Sequence, residues 1–253
     1  MPNKPADFVA SFAKGLRVIA CFGAETPRRS IAEVAAATGF DRATARRCLL
    51  TLHHEGYADY DGKFFTLTPK TLRLGMGALA SLPLPQVVQP WLDQLTERIG
   101  QSVSVSILDG TEIVYIARAA QRRVMSIGLM PGSRLPAHCT SMGRILLAAL
   151  PEAEARAVVE ASDLTPRTAY SLTEPDEIMA RIARIGAQGY ALNEQEVEIG
   201  LRSLAVPLLD MRGRVVAALN SGMAVTQETP EQVIERYLPE LLRVQAGLRR
   251  VLR

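Results

Sequence analysis

Cysteine, histidine and lysine are all scarce in this chain, and no long apolar run occurs. Three cysteines, Cys21, Cys48 and Cys139, lie too far apart for a disulfide framework or a paired zinc knuckle. There are only three histidines, and two of them, His53 and His54, are adjacent. No stretch of about 18 uncharged apolar residues is present, so no transmembrane helix is expected. The opening Met1-Pro2-Asn3-Lys4-Pro5 lacks the apolar core of a signal peptide. These shortages lead us to expect a cytoplasmic, reduced protein without metal, cofactor or membrane partner. Catalytic signatures are thin too: there is no GxSxG and no GKS or GKT loop. Gly75-Met76-Gly77-Ala78-Leu79-Ala80 fits GxGxxA loosely but follows no strand. Adjacent His138 and Cys139 rarely give nucleophile–base geometry. The expectation is a protein that is not an enzyme.

All four lysines, Lys4, Lys14, Lys63 and Lys70, fall in the first 70 residues. That segment holds 10 basic against 7 acidic residues, whereas the remainder balances at 19 against 19. The whole net charge of +3 therefore sits in the first quarter, as in a small nucleic-acid module on a neutral body.

The first segment reads as three short helices and a hairpin. Helix one is expected from Asp7 to Phe22, with Phe12, Leu16, Ile19 and Ala20 on its apolar face. Ser30 and Glu33 form a capping box for helix two, which Gly39 ends. Asp41 caps helix three, with Phe40 as its staple. Tyr57–Leu67 follows as a hairpin, its Asp61-Gly62 read as a type I′ turn. A helix-turn-helix with a hairpin is a winged helix. On helix three, Arg42, Thr44, Arg46 and Arg47 crowd the turns that meet base edges, with Ala43 among them. Arg28, Arg29 and Ser30 stand at the start of helix two, where phosphates are held, and Lys63 tips the wing. The same arginines would also suit a solvated helix face.

Thr68-Pro69 opens another helix, to about Ala80, and residues 69–85 read as a linker. The domain division expected is thus 1–68, 69–85 and 86–253. The third part mixes elements: a helix over 86–99, a hairpin over 103–118, a strand over 124–130, helices over 141–150, 152–161 and 174–185, strands over 203–209 and 215–220, and a last helix over 231–251. This order suggests an α+β fold on an antiparallel sheet. Within it, Pro131–Arg144 is a loop entering an apolar helix. Its first N–H groups, those of Ser141, Met142 and Gly143, suit a carboxylate, with Thr140 as N-cap and Arg134 and His138 adding charge or a hydroxyl partner. An ordinary buried helix start reads equally well from the pattern.

The helix-turn-helix over Ser30–Leu52, the linker helix from Pro69, and the runs Leu135–Ala148, Asn193–Pro207 and Ala217–Asn220 carry a resemblance. Through them the chain resembles the IclR family of bacterial transcriptional regulators over nearly its whole length. The wording around Arg46–Leu49 and Gly132–Leu150 is most similar to regulators of aromatic-acid catabolism, the β-ketoadipate and 4-hydroxybenzoate group. The resemblance implies an N-terminal winged helix on double-stranded operator DNA and a C-terminal GAF-like domain that takes a small carboxylic-acid effector. It also implies homodimers, often paired into homotetramers. The family's pocket positions match Leu135, Ser141, Met142, Asn193, Ser203, Asn220 and Gly222, to which Ile127, Arg134 and His138 are added here as candidates. An aspartate is usual in the family at the Asn193 position, a cysteine can stand at that of Ser203, and serines at those of Asn220 and Gly222. These departures suit a larger aromatic or dicarboxylic acid over glyoxylate. The alternatives are a regulator of another pathway that senses a short keto acid, or an enzyme with an attached winged helix.

Overall fold

The computed structural model describes residues 7–23, 26–81, 83–120 and 128–252, with backbone alone over 76–81. The chain divides into two compact units between Ser81 and Leu82.

The first unit holds α1 (Ala10–Ala20), β1 (Arg28–Ser30), α2 (Ile31–Thr38), α3 (Arg42–His54), β2 (Ala58–Tyr60), β3 (Phe64–Leu67) and α4 (Pro69–Ser81). Local chemistry sets its boundaries. The Ser30 hydroxyl accepts from the Glu33 N–H while the Glu33 carboxylate accepts from the Ser30 N–H, closing the capping box. Gly39 ends α2 in the left-handed region at φ +70°, and Asp41 accepts from the Thr44 N–H to start α3. The core gathers Val18, Val34, Ala45, Leu49 and Phe65, all wholly buried, under an antiparallel sheet in the order β1-β3-β2.

Two expectations for this unit need correction. The hairpin turn is centred on Gly62-Lys63, not Asp61-Gly62: the Asp61 N–H donates to the Phe64 carbonyl, and Asp61 Oδ1 accepts from the Phe64 N–H. A type I′ turn needs two residues at positive φ, and here only Gly62, at +100°, provides one. The apolar face of α1 is also not buried within the unit. Phe12 is 67% and Leu16 49% exposed, and Val18 is the residue that enters the core.

The second unit holds α5 (Pro83–Ile99), β4 (Ser102–Asp109), β5 (Glu112–Ala119), β6 (Arg134–Pro136), α6 (Ser141–Ala148), α7 (Glu152–Glu160), α8 (Pro175–Gln188), β7 (Ala191–Glu194), β8 (Leu201–Leu209), β9 (Val215–Ala224) and α9 (Pro230–Leu248). Its six strands form one antiparallel sheet in the order β6-β5-β4-β9-β8-β7. Side chains alternate between the faces, and α5 and α9 pack on one face while α6, backed by α8, packs on the other. Of the residues read as a linker, 69–81 fall on α4 and 83–85 on α5, and Leu82 lies outside the described residues. Of the strand expected over 124–130, residues 124–127 lie outside the described residues and 128–130 are not strand. The short strands β6 and β7 carry too few residues to show a pattern. The helix expected to stop at Gly186 runs on to Gly189, which takes the left-handed cap at φ +77°.

Candidate nucleic-acid interface and ligand pocket

On α3, Arg42, Ala43, Arg46 and Arg47 are exposed, and the opposite stripe of Ala45, Leu49 and Leu52 is buried. Thr44 does not join the exposed set. It is 5% exposed, and its hydroxyl donates to Asp41 Oδ2 at 2.8 Å, so it serves the helix cap. Ser30 is likewise engaged in its own capping box. Arg29 turns inward, with Nε donating to the Cys21 carbonyl at 2.8 Å and a terminal nitrogen to the Thr26 hydroxyl. Arg28 stays on the surface beside the wing: it pairs with Asp61 at 3.2 Å and lies over the Phe64 ring, which Lys63 also flanks at the exposed tip. Four cationic side chains thus remain outward on the helix and wing tip, namely Arg42, Arg46, Arg47 and Lys63. Arg28 lies beside them.

The exposed face of α1 lines an apolar groove of about 910 Å³ together with Cys48 and Leu52 of α3 and Leu74 of α4. Phe8, Val9 and Leu72 are exposed in the same unit.

In the second unit, strand register builds a pocket floor. Arg118 of β5, Ser104 of β4, Asn220 of β9 and Ala205 of β8 stand in one cross-strand row, and Ser102, Gly222, Ser203 and Asn193 form the next. Gly222, in the middle of the second row, leaves space, and Ser141 and Met142 of α6 close it from above. The Ser141 and Ser203 hydroxyls lie 2.8 Å apart, and the Ser106 hydroxyl meets the Met142 sulfur. The cavity encloses about 30 Å³, room for about two water molecules.

Tyr115 and Arg118, three residues apart, both face this cavity because the β4–β5 ladder is interrupted at Val105/Ser106: Ser106 pairs with Tyr115 but Val105 with Ala117, leaving Ile116 over. Arg118 donates to the Ser104 hydroxyl at 2.9 Å and has no carboxylate partner among the described residues. Burial pulls its pKa down. Burial pushes the Tyr115 phenol up to about 12, against the pull of Arg118, so the hydroxyl stays a protonated donor. Asn220 is 8% exposed, and its Oδ1 has no hydrogen-bond partner among the described residues. A guanidinium, a phenol, an amide and three serines around a small cavity form an arrangement for one carboxylate and one or more hydroxyl groups.

Leu135, Ser141, Met142, Ser203, Asn220 and Gly222 line this pocket. Three candidates do not. Arg134 faces solvent, paired with Asp109 and Glu112, each at 2.7 Å. His138 is 2% exposed but is absent from the lining; burial, and then the Arg144 charge, lower its pKa. Asn193 turns its amide to the Cys139 carbonyl and to Glu196. Ile127 lies outside the described residues. At the helix start, the Thr140 hydroxyl accepts from the Gly143 N–H, which removes one of the three donors expected. The sequence reading missed Arg118, Tyr115, Ser102, Thr140, Leu129, Val197 and Leu201 as lining residues. The serine alternation of β4 was the available signal for its polar face, but the bulge that turns Arg118 inward leaves no mark in the sequence.

Residues 11–62 match the IclR helix-turn-helix domain, and residues 76–247 match the C-terminal domain described as that of the bacterial transcriptional regulator IclR. The chain is 43% identical over 237 residues to the Pca regulon regulatory protein of Pseudomonas putida, covering 93% of this chain and 81% of that one. It is 35% identical over 240 residues to the p-hydroxybenzoate hydroxylase transcriptional activator of Acinetobacter baylyi, covering 93% and 89% respectively. Among solved structures, the inducer-binding domain of the Acinetobacter transcription factor PobR, a double mutant in complex with 3-hydroxybenzoic acid, superposes with a TM-score of 0.62. It is 31% identical and covers 66% of this chain and 98% of that one. The winged helix, the antiparallel-sheet unit and these matches place the chain in the IclR family of bacterial transcriptional regulators.

Proposed function

We propose that this protein binds operator DNA through Arg42, Arg46, Arg47, Lys63 and Arg28, and adjusts that binding to a monocyclic aromatic acid, so governing genes of aromatic-acid catabolism. The observation that carries the ligand class is Arg118, a partly buried guanidinium on a pocket floor with no acid paired to it among the described residues. Such a charge favours a carboxylate guest. Tyr115, Asn220 and the Ser141–Ser203 pair supply partners for ring hydroxyls. The relatives named for the Pca regulon and for p-hydroxybenzoate hydroxylase, and the PobR domain held with 3-hydroxybenzoic acid, support the pathway.

The cavity of about 30 Å³ is smaller than a benzoate, so an aromatic acid selects a wider arrangement of the pocket. A ligand that binds one arrangement better than the other shifts the population, which is what a regulator needs. The same size supports a second reading, a short keto acid that fits with less widening. The apolar groove along α1 is the surface through which a second copy docks in this account, because contiguous exposed apolar patches are uncommon on monomers.

The test uses a duplex selected from random sequence by the protein itself. Affinity for it is measured by fluorescence anisotropy with and without 4-hydroxybenzoate, protocatechuate, β-ketoadipate, glyoxylate and pyruvate. One aromatic acid is expected to change the affinity. A response to glyoxylate or pyruvate alone selects the keto-acid reading, and no response to any acid contradicts both.

A further inference from the structure

We propose a second anion-binding site in the same unit: a cleft of about 370 Å³ at α8 and β7 in which Arg181 and Arg184 hold a small dianion, either a dicarboxylate or a phosphate. The two arginines are one turn apart on α8 and both line the cleft. Neither makes a hydrogen bond or an ion pair among the described residues. Two carboxylates also line the cleft, and each is already paired with another arginine, Glu194 through Oε1 with Arg202 and Glu196 through both oxygens with Arg144. Acids and bases match one to one in those pairs, which leaves two positive charges unbalanced. Arg181 is partly withdrawn from water, and its charged form is disfavoured first by that burial and then by Arg144 and Arg184, with Glu196 opposing them only in part. An anion relieves both penalties at once.

The remaining lining suits the same guest. Tyr170 and Tyr190 contribute to the cleft, and their hydroxyls make no hydrogen bond among the described residues. A planar fork of donors on each arginine fits carboxylate or phosphate oxygens two at a time. The volume falls within the range of small-molecule sites. The cleft shares no lining residue with the Arg118 pocket, so the two are separable by mutation.

The experiment is calorimetric titration of the full-length protein with succinate and, separately, with inorganic phosphate, at ionic strength held constant with sodium chloride. One of the two is expected to bind saturably at one per chain. R181Q/R184Q is expected to weaken it at least tenfold, and R118Q to leave it within twofold. Which of the two anions binds identifies the guest. Because neither arginine holds an internal partner, the double variant should keep the melting temperature of the parent. Four outcomes overturn the proposal: no saturable binding beyond the chloride control; equal affinity in R181Q/R184Q; loss in R118Q instead, which puts the anion in the other pocket; or a change in sedimentation of R181Q/R184Q, which makes this face a contact between copies.

Discussion

The guanidinium of Arg144 and the carboxylate of Glu196, 52 residues apart, meet fork to fork through bonds of 2.5 and 2.6 Å, with Arg144 wholly buried. Arg144 Nε also donates to the His138 carbonyl, and Glu196 accepts from Asn193 and from the Leu172 N–H. The pair thus fastens the start of α6, the β7–β8 connection and the 168–172 turn in one network. Removing one member leaves a buried charge uncompensated, at a cost of about 3–5 kcal/mol. Arg144→Met is expected to lower unfolding free energy by that amount in a urea titration. A loss below about 1 kcal/mol contradicts the assignment.

In the proposed function Arg46 and Arg47 of α3 contact DNA, whereas Thr44 serves the helix cap. Arg46→Ala or Arg47→Ala should weaken binding to a selected duplex by about 1–3 kcal/mol if either reads a base, with unfolding free energy unchanged. Thr44→Val should do the reverse. It breaks the hydroxyl bond to Asp41, costs about 1 kcal/mol of stability and leaves the salt slope of DNA binding unaltered. Urea titration and salt-dependent anisotropy on the three variants check this division. Equal DNA affinity in both arginine variants sinks it.

The winged helix was legible because its signals are local. Ser30 with Glu33, Gly39 and Asp41 specify ends within a few residues, and all three devices form as read. The candidate phosphate contacts were harder to place. Arg29 and Ser30 look like phosphate ligands in the sequence, yet one satisfies the Cys21 carbonyl and the other caps a helix. In the second unit the strands were visible but their pairing was not. Arg118 becomes a pocket residue only through the extra residue at Ile116, and Asn193 leaves the pocket only because Cys139 and Glu196 claim its amide. Such long-range partners carry no short-range pattern.

Gly143 is a further close contact. A Cβ there would run into the backbone of Ala137 and the Thr140 hydroxyl. Gly143→Ala gains about 1 kcal/mol in helix propensity but must push the 137–140 turn off α6. Overpacking of this kind costs about 1–3 kcal/mol or more. The net expectation is a destabilised protein by thermal melting; a raised melting temperature contradicts the packing.

Burial, and next the Arg144 charge, hold the pKa of His138 below its ordinary 6.5. The unfolded chain therefore binds this proton more readily than the folded one. The contribution of His138 to stability is complete above pH 6.5 and is lost as the pH falls below it. His138→Gln should flatten the stability profile between pH 7 and the acid side of that value, relative to wild type. Parallel profiles from urea titrations contradict the claim.

In the proposed site Arg118 receives the carboxylate of an aromatic effector. Calorimetric titration of wild type and Arg118→Gln with the aromatic acid that shifts DNA affinity tests this contact. Wild type is expected to bind saturably and the variant at least tenfold more weakly, with DNA affinity in the absence of acid unchanged. Equal affinity in the two proteins would contradict it.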